Sequence, residues 1–315
     1  MSVRLALVAS LCFGFQTLAV EHGLSQEDDS TILAAATLTL ATSTAVLWTV
    51  VGVQRGVPTV PTLAVLVPFV VAGVADPGLS RLLFYEGIDR LGPAVAAGIL
   101  AANPAIGALI AVPVLGEQFA AVEAVGVALV VAGVVGIQLA RPSTSDTDGV
   151  DGADDVDDID DIDAVRRELA GATPRDLLVP GLGAVLLAAS FVLVKVGFDA
   201  YSDTLVATTI AQTAALLLVA PVALRSRSAR QYARRASPRA IGAFLFAGIT
   251  VGTGWYAMFL ALELGTVVTV LPLVSTYPLV VVVGTYAAAR ELPKSPTLLA
   301  AVLAIVLGAA AVQVV

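Results

Sequence analysis

Two carboxylates, Glu117 and Glu291, each stand thirteen residues after a proline set inside an apolar run, Pro104 and Pro278. Proline lacks an N–H, so within a helix it frees a carbonyl and kinks the rod. Freed carbonyls at membrane depth need partners and are tolerated where they line a cavity. Asn103 and Tyr277 precede the two prolines, and Ser275 and Thr276 lie close by, so both runs have a polar midpoint. Glu117 and Glu291 come where the apolar run ends. A carboxylate there can cap the helix that follows. Capping is the expected role, ahead of proton coupling, because a helix end lies far from a midplane site.

Other residues join these as candidates for a cavity wall: Gln16, Tyr85, Ser190, Trp255 and Tyr256. The two aromatics also fit plain packing or an interfacial belt. Lys195 lies near a helix end, where a long side chain can snorkel to the interface. Arg81 and Glu86 read as intramembrane charges, which are costly and therefore functional candidates. Their alternative is a mutual ion pair, although a separation of five residues suits one helix face poorly.

Enzymatic signatures are missing. HExxH, GxSxG and phosphate-binding loop motifs are absent, and the single Cys12 and single His22 give neither an internal disulfide nor a histidine metal site. The run 154–158 (DDVDD) has a superficial likeness to the magnesium-binding carboxylates of membrane prenyltransferases, but it occurs once and without an apolar helical frame. No metal and no cofactor are expected.

The elements that must position these residues are membrane spans. The chain has 315 residues, of which 58% are hydrophobic and 13% charged, a balance no soluble domain of this size carries. A span needs about 20 apolar residues. Ten such helices are predicted, at residues 3–20, 31–53, 61–86, 92–115, 120–140, 176–197, 204–224, 240–262, 266–289 and 296–315. The flank after the first lacks a small-residue cleavage site, which disfavours a signal peptide. Threonines and serines of the second can bond back to their own helix. The third is interrupted at Asp76-Pro77-Gly78. Ala128, Ala132 and Gly136 form a small-residue stripe on the fifth, and Gly248 and Gly252 a GxxxG pair on the eighth.

The proline-to-glutamate pattern occurs twice, so the chain divides into a first repeat at 1–140, an acidic linker at 141–175 and a second repeat at 176–315. The linker core DGADDVDDIDDID is low-complexity and should be solvated, with a short surface helix expected around Arg166 and Arg167. Residues 225–239 read as a basic loop with six arginines. Five spans per repeat is an odd number. The second repeat must therefore enter the membrane from the opposite side, giving two inverted five-helix repeats in an all-α integral membrane protein.

These residues resemble the EamA-type branch of the drug/metabolite transporter superfamily. The likeness rests on Leu115-Gly116-Glu117 and Ala289-Arg290-Glu291 after their prolines. It rests also on FYEGIDRLG (84–92), mirrored by MFLALELG (258–265), and on AASFVLVK (188–195). Glu21 stands where the family often has Lys, and 34–40 lacks a common Arg. The resemblance implies ten helices around a cavity lined by helices 1, 3, 4, 6, 8 and 9. It implies small polar or amphipathic cargo, often amino acids, usually exported.

The expected function is therefore a multi-pass secondary transporter of the cell membrane that exports a small neutral or zwitterionic metabolite by alternating access. Its expected partners are the lipid bilayer and a small-molecule substrate, with a proton or sodium gradient as candidate driving force and no nucleic acid. A sugar-phosphate or nucleotide-sugar carrier is the alternative; a membrane enzyme or a lipid-handling protein is the rival from another class. Lys and Arg favour the cytoplasmic side. The loops after odd-numbered helices hold 13 of the 17 basic residues, and the N-terminal tail and even-numbered loops hold two. This charge count places both termini outside, whereas the family resemblance implies both inside.

Overall fold

The computed structural model describes residues 1–26, 31–56, 62–118, 120–139, 173–289 and 295–313. Every regular element among them is a helix. Nine are long and apolar enough to cross a membrane, and the shorter Pro296–Ala311 makes the tenth span. In order the spans are Ser2–Leu24, Ile32–Arg55, Leu63–Leu91, Val95–Leu115, Ala121–Leu139, Pro174–Phe198, Thr204–Arg225, Pro238–Leu264, Val267–Ala287 and Pro296–Ala311. Most of the linker and the stretch around Arg166 lie outside the described residues.

The packing has the pattern of two inverted repeats. Span 1 lies along span 8, and span 3 along span 6. Span 4 packs on span 6, and span 9 on span 1. Spans 2 and 7 pair, as do spans 5 and 10. Exchanging each span for its equivalent five further on returns these same pairs, as two repeats related by a pseudo-two-fold axis in the membrane plane require. At one end of the bundle Arg90 pairs with Asp176 at 3.2 Å, joining the end of span 3 to the start of span 6. At the other, Arg55 pairs with Asp203 at 3.3 Å, joining the end of span 2 to the start of span 7.

The basic segment expected as a loop is in part a helix, Arg227–Arg235. Ser226 caps it by accepting from the Ala229 N–H, and Ala229 and Tyr232 turn inward while the arginines face out. Amphipathic periodicity with one small and one aromatic residue on the inner face was enough to hold it against Phe244. Its end of the molecule is the arginine-rich end; the first residue of the chain lies at the other.

Small residues decide how closely spans approach. The fifth span meets the tenth through Gly126 and Gly133, where a Cβ would fall 2.5 Å from the Ala301 carbonyl at Gly133, and Gly308 answers from span 10. The expected stripe is corrected here: Ala128 and Ala132 are exposed. Gly248 and Gly252 do face span 2, against Thr42 and Ser43. Thr37, Thr42, Thr44 and Thr49 each donate to the carbonyl four residues back, which lets a threonine-rich span 2 sit in lipid.

Spans 4 and 9 are not kinked rods, as the prolines led one to expect. Each is two helices, Pro93–Leu100 with Asn103–Leu115, and Val267–Val274 with Tyr277–Ala289. The breaks are the same in both repeats. Ala101 and Ser275 donate four residues back at 2.9 Å, and Ala102 and Thr276 donate three residues back at 3.2 Å. The tightened turn ends the first helix, and the proline sits at the second position of the next, where its missing N–H costs nothing. Span 3 is likewise interrupted at Asp76, whose extended backbone is what a following proline prefers, and it continues to Leu91, past the expected end at 86.

Candidate functional site

Between the repeats lies a small cavity of about 60 Å³, partly open to the surroundings. Its wall comes from spans 1, 2 and 3 of the first repeat and spans 7 and 8 of the second. The resemblance implied spans 1, 3, 4, 6, 8 and 9. Spans 4 and 6 instead pack beside span 3, and spans 2 and 7 complete the wall. The polar wall groups are Gln16, Thr39, Arg81, Tyr85 and Gln212, with Trp255 as the aromatic.

Each is placed by a local feature of the chain. The interruption at Asp76 and Pro77 turns the rest of span 3 so that Pro77, Arg81 and Tyr85, at four-residue spacing, face the cavity together. Arg81 lies within hydrogen-bonding reach of the Tyr85 hydroxyl and close to Asp76 and Tyr277. Tyr277 opens the second half of span 9, so the break in that span brings a phenol towards the guanidinium. Trp255 is held by three rings: its own lies against Phe191 in a stacked arrangement and meets Phe13 and Phe259 edge-on at 5.9 Å. Such packing fixes an indole with little rotamer freedom left.

The remaining candidates fall elsewhere. Tyr256 lines a separate pocket between spans 2, 7 and 8. Ser190 is buried and donates to the Leu187 carbonyl. Asn103 donates to the Leu100 carbonyl at 3.0 Å, satisfying the group that Pro104 leaves without an N–H partner. Thr276 hydrogen-bonds Ser10 at 2.9 Å and so ties the break in span 9 to span 1, with Ser275 in the same turn. Pro104 and Pro278 are buried at the two breaks. Arg81 and Glu86 do not pair. Glu86 is exposed and binds Arg90 at 2.8 Å, four residues on, the spacing that one helix face allows.

Lys195 does not snorkel. Its ammonium donates to the carbonyls of Leu262 at 2.8 Å and Gly265 at 2.6 Å, closing the C-terminus of span 8. Glu117 caps a helix, but not the next one. Its oxygens accept from the Val267 and Val268 N–H groups at 2.8 and 3.0 Å, at the N-terminus of span 9. Gly116 makes this possible: its left-handed backbone, with φ of 65°, ends span 4 and turns the carboxylate across to the other repeat. The start of span 5 is served instead by Glu123, which accepts from the Ala120 N–H. Glu291 lies outside the described residues.

Two polar wall residues were not singled out from the sequence, Thr39 and Gln212. Gln212 carried a signal, since a lone amide within 204–225 is costly in lipid. Thr39 carried none that separates it from the self-bonded threonines around it.

Ten spans as inverted five-helix repeats, with a cavity between them and helices broken at equivalent depths, define a secondary-transporter architecture. The model of the EamA-like transporter family matches residues 1–139 and 177–312. The chain belongs to that family and is a multi-pass membrane transporter of the drug/metabolite transporter superfamily. A solved structure titled only as the crystal structure of a protein matches with a TM-score of 0.72 at 19% identity, over 99% of this chain and 96% of that one, a likeness of fold alone. No curated protein matches the chain.

Proposed function

We propose that the protein exports a small neutral or zwitterionic, amino-acid-like metabolite across the cell membrane by alternating access of its two repeats. The observation that carries this reading is the cavity wall: among its residues one, Arg81, is a fixed charge, and the other polar groups are amides, a phenol and a hydroxyl. A phosphorylated sugar would call for several cations on different helices. One guanidinium with one carboxylate, Asp76, close beside it suits a neutral or zwitterionic solute better than a multiply charged anion.

The cavity occupies the half of the bundle towards the arginine-rich end, to judge from the places of Val20, Ile32, Tyr85 and Val219 in their spans. The charge count puts that end in the cytoplasm, so the cavity lies towards the side from which an exporter loads. Rocking of spans 1–5 against 6–10 would then expose the same wall to the opposite side.

A metabolite-efflux comparison of cells with and without the protein, followed by uptake of the leading compounds into sealed vesicles, tests the proposal. Accumulation of amino-acid-like solutes outside expressing cells is expected. Selective transport of a sugar phosphate, or turnover of a compound by the protein in detergent, would overturn it.

A further inference from the structure

Gln212 sits in the wall of the cavity and is only 1% exposed. Neither its amide oxygen nor its amide nitrogen has a hydrogen-bond partner among the described residues. The hydroxyl of Thr39, in the same wall and 5% exposed, is also unpartnered. A buried amide with both ends unmatched is among the costlier groups a fold can hold, and an apolar side chain of the same shape would remove that cost. Neighbouring threonines show what the fold does when a polar group serves it alone: Thr208, Thr209 and Thr213 all close on their own helix carbonyls at 2.7 Å. Gln212 is the exception on span 7.

We infer that Gln212 is a specificity-determining residue that reads a hydrogen-bonding group on the carbon next to the substrate's carboxylate, the carboxylate itself being held by Arg81. The ligand class is a compact carboxylic acid with an α-amino or α-hydroxyl group and an apolar remainder. The amide can accept from the one and donate to the other. The apolar remainder meets Leu40, Val219, Val251 and the Trp255 ring, which share the wall. This rests on the proposed substrate reading and narrows it: charge selects the carboxylate, and the amide selects what stands beside it.

The test has two arms. In the first, thermal unfolding of the empty protein in detergent compares wild type with Gln212→Leu and Gln212→Asn. A recognition group left unsatisfied in the empty protein predicts a melting temperature a few degrees higher for Gln212→Leu. A structural amide predicts a lower one, and that result overturns the inference. In the second, Trp48→Phe leaves Trp255 as the single tryptophan, a reporter inside the cavity. Quenching is titrated with four probes on one frame: leucine, 2-hydroxyisocaproate, isocaproate and leucinamide.

Wild type should prefer the first two over isocaproate by roughly tenfold, the worth of one buried hydrogen bond. Leucinamide, without the carboxylate, should bind weakest. Gln212→Leu should bring leucine and isocaproate to within about twofold while isocaproate binding persists, and Arg81→Met should weaken all three acids. Retained discrimination in Gln212→Leu, or no response of wild type to any acid, overturns the assignment. Binding with the expected ranking but without uptake into vesicles would instead refute the transport reading of these ligands and leave Gln212's role intact.

Discussion

Glu117, at the end of span 4, accepts a hydrogen bond of 2.8 Å from the N–H of Val267, the first residue of span 9 and 150 positions away. The second carboxylate oxygen takes the Val268 N–H. On the other side of the same tight connection, Lys195 holds the carbonyls of Leu262 and Gly265. A two-residue link between spans 8 and 9 thus has an anion at the helix N-terminus that follows it and a cation at the C-terminus that precedes it, each matched to the helix dipole. The anion comes from the first repeat and the cation from the second. The connection is a joint through which the two halves are fastened.

Loss of that joint should cost stability. Glu117→Ala leaves two amides of span 9 without acceptors, and a lost N-cap is worth about 0.5–2 kcal/mol. Thermal unfolding in detergent should show a drop of a few degrees, with Glu117→Asp intermediate. An unchanged midpoint for Glu117→Ala would mean that the cap is idle.

Lys195→Met should act at the same joint from the other side. Its ammonium contacts carbonyls, not a carboxylate, so Lys195→Arg, which keeps a cationic donor, should lose less than Lys195→Met. Because both residues hold one connection, the double variant with Glu117→Ala should fall short of the sum of the singles. Strict additivity of the melting shifts would separate the two caps.

Pro104→Ala restores an N–H that can reach the Leu100 carbonyl, now taken by the Asn103 side chain. The expected outcome is a partly healed helix across Ala101 and Ala102 and transport reduced several-fold, with normal insertion. Pro278→Ala should do the same at Ser275 and Thr276. Vesicle uptake with quantified protein is the measurement. Full rates in both variants would remove the breaks from the transport cycle.

Orientation is testable because span 1 and the arginine helix meet at one end: Val20 and Leu24 pack in the cluster that holds Tyr232 and Phe244. Single cysteines at Ser25 and Ser228, in a Cys12→Ser background, should therefore behave alike. The charge count places both in the cytoplasm, where an impermeant reagent should label neither until cells are opened. Labelling of both in intact cells would reverse the orientation; labelling of one alone would contradict the packing.

The sequence by itself determined the membrane class, the ten spans and the twofold repeat. Apolar length and the matched spacing of Pro104–Glu117 and Pro278–Glu291 are properties of the chain, and the inversion follows from counting spans. It also placed Arg81, Tyr85, Gln16 and Trp255 among the residues to watch, since polar or large aromatic groups inside apolar runs stand out. Tertiary structure decided partnership. Glu117 and Lys195 are legible as charges at helix ends, but which helix each closes depends on spans brought together from opposite halves. Gln212 stands out in the sequence as a lone amide, but that it and Thr39 lack partners and face a cavity is visible only in the packing. A span's periodicity says which face is polar; what that face meets is set by nine other helices.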